Sequence, residues 1–481
     1  MASSRDLHGA VRTTYRTLAV VSVAALLAAG CSRAGSSSST STAASAPAST
    51  SASAATSSTA SASSAGSFGS VSDACHGGSA SGATDQGVTS SSIDVGVLTD
   101  VGFTKLTDIE DTAKVFTAWC NAAGGIDGRK LAADIHNTNL MAVVPAMTAA
   151  CGKDFVAAGG SAALDGLAVS TRLKCLLPDF DAQPVMPQNT GSGLQLRPYN
   201  YNSTYASFSG FYKWAITKYP DSAQHVGILS GASVITTVDA QEDSDTVKAV
   251  GGAVTYVGTF PVTGVANWTP YAETIKSKGI KGLTFYDTPQ DLAALEQALD
   301  NIGYKLDWIN ANTNAYGAPF IDVAGKSLTE QNNYAELPGI YPLEEASQST
   351  AMQQLTKLFA QYNPGAKLTL QDEQAWSMWL LFAQSAETCG SALTRSCVYQ
   401  AALKQTAWTA GGITAPVNEA TPEAPNSCFN IEQATPAGWV AADFGANTGP
   451  YDCGGVQVKL PAGFPTALQL SSVGKTLADL K

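Results

Sequence analysis

Short apolar runs and segments of helical period take turns along this chain in two blocks, one over residues 92–161 and one over 225–303, and few folds accept that rhythm. Residues 92–98 pass from alternation into a continuous apolar run, as a strand covered on both faces requires. Thr107 and Glu110 have the spacing of a capping box, and Ile109, Ala113, Phe116 and Cys120 follow at helical intervals before Gly124 and Gly125. A strand at 131–135, a helix at 145–153 and a strand at 155–158, running into Gly159, Gly160 and Ser161, complete the first block. In the second block, strands at 225–229, 253–260 and 283–286 alternate with helices at 239–250 and 270–278. Thr288 as N-cap, Pro289 in the first turn and the stripe Leu292, Leu295, Leu299 and Ile302 mark a further helix, which Gly303 ends. The pattern predicts an α/β protein of two doubly wound Rossmann-like lobes. Such sheets bind small molecules beyond the carboxyl ends of their strands, so a cleft between the lobes is expected.

Length agrees with two lobes, because 481 residues exceed what one hydrophobic core supports. Residues 374–386 are apolar at nearly every helical angle, with Trp376, Met378, Trp379, Leu380, Leu381 and Phe382. A helix buried on all sides is the expectation there, rather than an aromatic platform for a sugar. A formal charge of −12 repels phosphate backbones and argues against nucleic acid as a partner. The chain contains neither G-x-S-x-G nor H-E-x-x-H. Gly325-Lys326-Ser327 imitates the end of a phosphate loop, but Phe320 stands where the first glycine of that loop belongs. The chain is therefore expected not to be an enzyme and to need no cofactor. With His8, His76, His136 and His225 as its histidines and no C-x-x-C pair, no metal site is expected either.

At the start of the chain, Arg5, Arg12 and Arg16 precede an apolar run at 18–29. This reads as a signal peptide over 1–30, since a membrane-spanning helix needs about 20 apolar residues. Leu27-Ala28-Ala29-Gly30-Cys31 resembles the lipobox of bacterial lipoproteins, with leucine one place earlier than usual. The resemblance implies a lipidated Cys31 that holds the chain on the outer face of the cytoplasmic membrane. Residues 31–84, rich in Ser, Ala and Thr, are expected to be a disordered tether, with the folded body starting near Gly87. The remaining cysteines, Cys75, Cys120, Cys151, Cys175, Cys389, Cys397, Cys428 and Cys453, form an even set suited to an oxidising compartment.

Asn121-Ala-Ala-Gly-Gly-Ile-Asp-Gly-Arg-Lys-Leu131 resembles the N-x-A-G-G-x-x-G-R-K-L signature of the leucine/isoleucine/valine-type (branched-chain amino acid) periplasmic binding proteins, the substrate-binding lipoproteins of ABC transporters. Asn267-Trp-Thr-Pro-Tyr-Ala-Glu-Thr-Ile-Lys276, before Gly282-Leu-Thr-Phe-Tyr286, is similar to that family's D-F-T-P-Y-I-K helix and strand, with Asn267 in place of Asp. Gly339-Ile-Tyr-Pro342 and the apolar helix after Gln371 also fall in family order, so the resemblance covers about 85–460. It implies a type I periplasmic binding protein fold whose lobes join through a three-segment hinge, with one lobe at 85–200 and 338–410 and the other at 201–337 and 411–470. The implied strand order favours Cys75 with Cys120 and Cys151 with Cys175, one of three pairings open to these four cysteines. Cys389 with Cys397 and Cys428 with Cys453 would be local staples. The glycine-rich part of the first motif is read as a turn, with Arg129 packing locally.

Ligand contacts should follow strand ends. The candidates are Phe103, Ser161, Ala162, Asp181 and Gln183 in the first lobe, and Tyr205, Tyr286, Asp287, Asn312 and Thr313 in the second. In the resembling amino-acid binders, hydroxyls and backbone N–H groups near Ser161 hold the ligand carboxylate. Here that loop reads GGSAALDG and lacks their paired Ser/Thr, while Asn312-Thr313-Asn314 replaces the acidic residue that holds the ligand ammonium. Asp181 or Asp287 can supply that charge; otherwise the solute is an amide, polyol or aromatic compound. The resemblance implies capture of a small polar solute, an amino acid or a related compound, for the membrane permease subunits of an ABC importer. The alternative is a receptor lipoprotein that signals to a membrane partner.

Overall fold

The structure, a computed structural model, describes residues 65–199, 201–421, 424–425 and 428–481. The expected signal peptide, Cys31 and the tether as far as residue 64 lie outside the described residues. Two sheets carry the body. The first is built from β1 (Ser92–Thr99), β2 (Lys130–Asn137), β3 (Val156–Ala158), β4 (Asp179–Phe180) and β5 (Gln195–Leu196) in the order β2-β1-β3-β4-β5, every neighbouring pair parallel. Ile93, Val95 and Val97 of β1 point into the main core with Ile109, Phe116 and Trp119 of the Asp108–Ala123 helix. On the opposite face, Leu98 and Ala157 meet Met147 and Ala150 of the Val143–Lys153 helix. This two-sided cover explains the continuous apolar run of β1.

The second sheet holds β6 (Val226–Gly231), β7 (Val254–Phe260), β8 (Gly282–Tyr286), β9 (Trp308–Asn310), β10 (Asn333–Leu337), β11 (Asn430–Thr435) and β12 (Gly438–Ala441) in the order β12-β11-β10-β9-β8-β6-β7. Its first five strands are parallel, whereas β11 and β12 run antiparallel at one edge. The expected α/β class and two lobes are present. The Thr288 N-cap accepts from Asp291 N at 3.2 Å, with Pro289 in the first turn. The Leu370–Glu387 helix is buried on every side, and Trp376 and Trp379 are fully enclosed. Arg129 is also buried and donates to the carbonyls of Thr89, Gly390 and Ser81 at 2.9–3.0 Å, so the glycine-rich motif is a structural turn.

Several local expectations are corrected. Thr107 makes no side-chain cap; its hydroxyl donates to Asp111 Oδ2 at 2.8 Å, so no capping box with Glu110 forms. The Ser209–Lys218 helix and the antiparallel edge carry no strong periodicity and went unanticipated. The folded body also begins well before Gly87. Phe68 is fully buried against Trp376, with ring centroids 5.0 Å apart, and Trp119 Nε1 donates to Ala65 O at 3.0 Å. A small-residue segment packs here because an aromatic anchor and the Cys75–Cys120 disulfide hold it. The other disulfides join Cys151 to Cys175, Cys389 to Cys397 and Cys428 to Cys453.

At the other end, Leu470 and Leu480 return to the core of the first sheet, and Gly193 N donates to Leu468 O at 2.9 Å. The chain therefore passes between the two cores a fourth time, beyond the three crossings after Leu196, Ile340 and Val417. Truncation of a buried aromatic side chain costs about 3–5 kcal/mol, so Phe68→Ala should lower the stability measured by urea unfolding by that amount. A loss below ~1 kcal/mol would mean that residues 65–75 are an appendage of the fold.

Candidate ligand-binding site

In the first sheet the winding direction reverses between β1 and β3, and the loops leaving these strands part to opposite faces. The crevice so formed is bounded by Asp100 on one side and Gly159–Ser161 on the other. Gly159 has φ +64°, and a Cβ there would stand 2.3 Å from the Trp379 ring, so only glycine lets the loop lie on the buried helix. Ser161 N donates to Leu98 O at 2.9 Å. Asp100 reaches across the crevice: its Oδ2 accepts Ala163 N at 2.7 Å, and its Oδ1 accepts Leu140 N at 3.0 Å and the Thr138 hydroxyl. An internal carboxylate thus sits on a backbone donor of the very loop that, by resemblance, would have held a ligand carboxylate.

Ser161 and Gln183 come together, the serine hydroxyl donating to Gln183 O at 3.3 Å. Ser161, Ala162 and Asp181 line a cavity of about 20 Å³ with Asp165, Arg172 and Asn189, room for roughly one water molecule and no solute. Asp181 is fully engaged inside the lobe. It accepts Gln183 N at 3.0 Å, Asn189 Nδ2 at 2.8 Å and Gln195 Nε2 at 3.0 Å. Asp165 accepts the backbone N–H groups of Val185 and Met186 at 2.7 and 2.9 Å and also Asn189 Nδ2 at 2.9 Å. Arg172 lies 3.5 Å from Asp179. Burial, then the neighbouring Asp179 and Asp165 charges, push Asp181 well above the ordinary carboxylate range.

The second sheet has its own reversal, between β6 and β8. Asp287 lies over the end of β6, its Oδ2 2.1 Å from where a Cβ of Gly231 would be, and it is partly buried. The Tyr286 hydroxyl turns inward and donates to Asp243 Oδ2 at 2.7 Å. Asn312 is buried at φ +62°, and its Oδ1 accepts the Thr313 hydroxyl at 3.1 Å and Asn314 N at 3.2 Å. Tyr205 bridges to Lys459 on the crossing segments, and Phe103 is 61% exposed. Among the described residues, no hydrogen bond joins a first-lobe candidate to a second-lobe candidate.

Residues not anticipated mark the junction of the two cores. The Leu370–Glu387 helix begins there: Leu370 packs in the second core with Tyr316, Leu337 and Trp439, while Trp376 onward packs in the first. Glu373, one turn in, is fully buried, and neither of its carboxylate oxygens has a hydrogen-bond partner. The Tyr316 hydroxyl donates to Glu344 Oε2 at 2.5 Å. Glu432 of β11 is buried, accepts Asn430 Nδ2 at 3.1 Å, and is pushed up to about 9 by burial and by Glu344 beside it. Burial first, then the charges of Glu344, Glu373 and Glu432, raise the Tyr316 hydroxyl, which places these groups within electrostatic reach of one another. The signal available in the sequence was an acidic pair, Asp372 and Glu373, directly before the apolar stretch 374–386.

These acids set a pH dependence. Asp165, Asp243 and Asp372 are raised from an ordinary 3.8 to about 7, chiefly by burial. The folded chain then keeps protons that the unfolded chain has already released, so the contribution of these three groups to stability falls as pH rises from the ordinary carboxylate value to about 7, and Glu432, raised to about 9, extends the fall. Urea unfolding should show the body more stable near pH 5 than near pH 8 by roughly 2 kcal/mol or more. A profile that is flat or rises with pH would contradict these protonation states.

Comparison with known proteins bears on the whole arrangement. The family model described as "Periplasmic binding protein" matches residues 92–438. A fatty acid ABC transporter substrate-binding protein from Thermomonospora curvata is 14% identical, with TM-score 0.61, over 81% of this chain and 97% of that one. A leucine binding protein from Thermotoga maritima is 12% identical, with TM-score 0.58, over 73% and 97%. A substrate-binding periplasmic protein from Ralstonia solanacearum is 14% identical, with TM-score 0.58, over 73% and 100%. Comparison with curated protein sequences finds no match. The structural likenesses show the type I fold, and the family match spans most of the chain. With a family match over residues 92–438 and two mainly parallel sheets that each reverse direction once, the chain belongs to the periplasmic binding protein family.

Proposed function

We propose that this chain is an extracytoplasmic lipoprotein that captures a small polar solute between its lobes for an ABC importer, and that the solute carries a cationic or donor-rich group. The observation that supports this reading is Glu373, a fully buried carboxylate with both oxygens unpartnered at the junction of the two cores. An isolated buried carboxylate is costly, by several kcal/mol, unless it is protonated or paired. A solute ammonium or guanidinium entering between the lobes provides that pairing, with the Glu344 and Glu432 carboxyls and the Tyr316 hydroxyl close by. The opposite polarity is disfavoured in the first lobe, because Asp100 already occupies the Ala163 donor.

In this reading, Ser161 and Gln183 face the solute from the first lobe, and Asp287, Asn312 and Thr313 from the second. The first lobe comprises 85–200 and 338–417, with residues 65–84 and the tail from Leu470, and the second comprises 201–337 and 418–469. Lobe closure couples capture to stability, since a solute that binds only the folded chain stabilises it by RT ln(1 + [L]/Kd).

A thermal-shift screen over amines, basic amino acids, amides, polyols and carboxylates tests the reading. Cationic solutes should raise Tm, with a stabilisation of ~2.7 kcal/mol at a hundredfold excess over Kd. Glu373→Gln should weaken that response at least about tenfold, the loss of one charged hydrogen bond. A screen in which only anionic solutes act, with Glu373→Gln indifferent, would overturn the cationic assignment. For the anchor, Cys31→Ala should release the protein into the medium; unchanged membrane retention would count against lipidation.

A further inference from the structure

We propose that Asp134, His136 and Asp154 form a divalent-cation site at the edge of the first sheet, suited to a borderline transition metal such as Zn²⁺. Asp134 and His136 are two apart on β2, the edge strand, so their side chains leave the same face of the sheet. Asp154 arrives from the far side of β1, at the end of the Val143–Lys153 helix. Its carboxylate lies across β1 over Gly96, where a Cβ would meet Asp154 Oδ2 at 2.6 Å. Glycine at that one position is what lets a residue beside β3 reach a residue on β2.

The donor atoms converge. Asp154 Oδ2 is 2.6 Å from His136 Nε2, which is 3.6 Å from Asp134 Oδ2, and one ligand atom from each residue lies within 4.8 Å of the others. Ligands held at zinc–ligand distances of 2.0–2.1 Å stand about 3.3 Å apart around a tetrahedral ion, so modest side-chain rotations suffice. One observation points to a ligand beyond the ion pairs themselves: Asp154 is fully buried, yet its Oδ1 has no hydrogen-bond partner. An imidazole with two carboxylates is a set that zinc accepts, with the fourth position open toward the partly exposed Asp134.

The frame is rigid. Arg395 Nη2 and Gln86 Nε2 donate to Asp154 O at 2.7 and 3.0 Å, Arg395 Nε donates to Phe155 O at 2.7 Å, and the Cys151–Cys175 disulfide pins the same helix end. Lys153 Nζ, 2.7 Å from Asp134 Oδ2 on a largely exposed side chain, is the counter-charge a metal would displace. A second cluster, His76, Asp127 and Glu387, differs in kind: Glu387 Oε1 is 2.5 Å from His76, its Oε2 accepts Asp127 N at 3.1 Å, and all three residues are partly exposed. It serves as the internal control. Metal held at the Asp134 site would tie β2 to the segment entering β3 and so brace the lobe edge independently of any solute.

Equilibrium dialysis of the full chain, stripped with EDTA and then titrated with Zn²⁺, tests the site, with Co²⁺ absorption reporting the geometry. One Zn²⁺ per chain is expected, weakened more than about 100-fold by His136→Ala, since loss of even a supporting partner costs 10–100-fold. Asp134→Asn, at a partly exposed position, should weaken it comparably even where Asp154→Asn fails to fold. His76→Ala should leave it unchanged, and Lys153→Ala should bind at least as tightly. No binding at micromolar Zn²⁺, or binding that survives His136→Ala or is lost with His76→Ala, would overturn the site.

Discussion

A strand can be added in parallel only by carrying the chain over the sheet, and the hand of that crossover is fixed. Each sheet therefore grows outward on one side and must restart on the other, here between β1 and β3 and again between β6 and β8. At those restarts neighbouring loops diverge, and a crevice is left that side chains on the loops must fill or a ligand must occupy. Asp100 closes part of the first crevice and Asp287 overhangs the second. The placement of Asp100, Ser161 and Asp287 follows from these two reversals.

Burial of acids is the second organising feature. Asp165 and Asp181 are held by Asn189, Gln195 and backbone N–H groups, which lets the lobe tolerate carboxylates close to one another. Glu373 has no such company. The contrast separates acids held by the architecture from one at the junction that lacks a hydrogen bond, where desolvation raises it and a partner would relieve it.

The two ends of the described chain reinforce the first core. Phe68 inserts beside Trp376 from one end, and Leu470 with Leu480 from the other. Neither contribution was foreseeable from composition, since an aromatic in a Ser/Ala-rich stretch is as compatible with a tether as with an anchor. The depth of the Trp376–Trp379 core, and the need for glycine at Gly159 to lie against it, decide the matter.

Period and punctuation are legible in the sequence: the apolar run of β1, the Thr288-Pro289 start, the helix buried on all sides and the turn chemistry of the Gly124–Arg129 motif all depend on neighbours close in sequence. The Thr107–Glu110 spacing failed because Asp111, also within reach, takes the hydroxyl. Of the proposed contacts, Asp181 and Tyr286 were reasonable as residues at strand ends, yet both turn inward to partners that sequence distance conceals. By itself the sequence determined the α/β class and the two lobes, because those follow from local period. Only the tertiary structure decided which carboxylates are satisfied and which are not, because hydrogen bonds such as Asp100 to Ala163, and the isolation of Glu373, join or separate groups far apart along the chain.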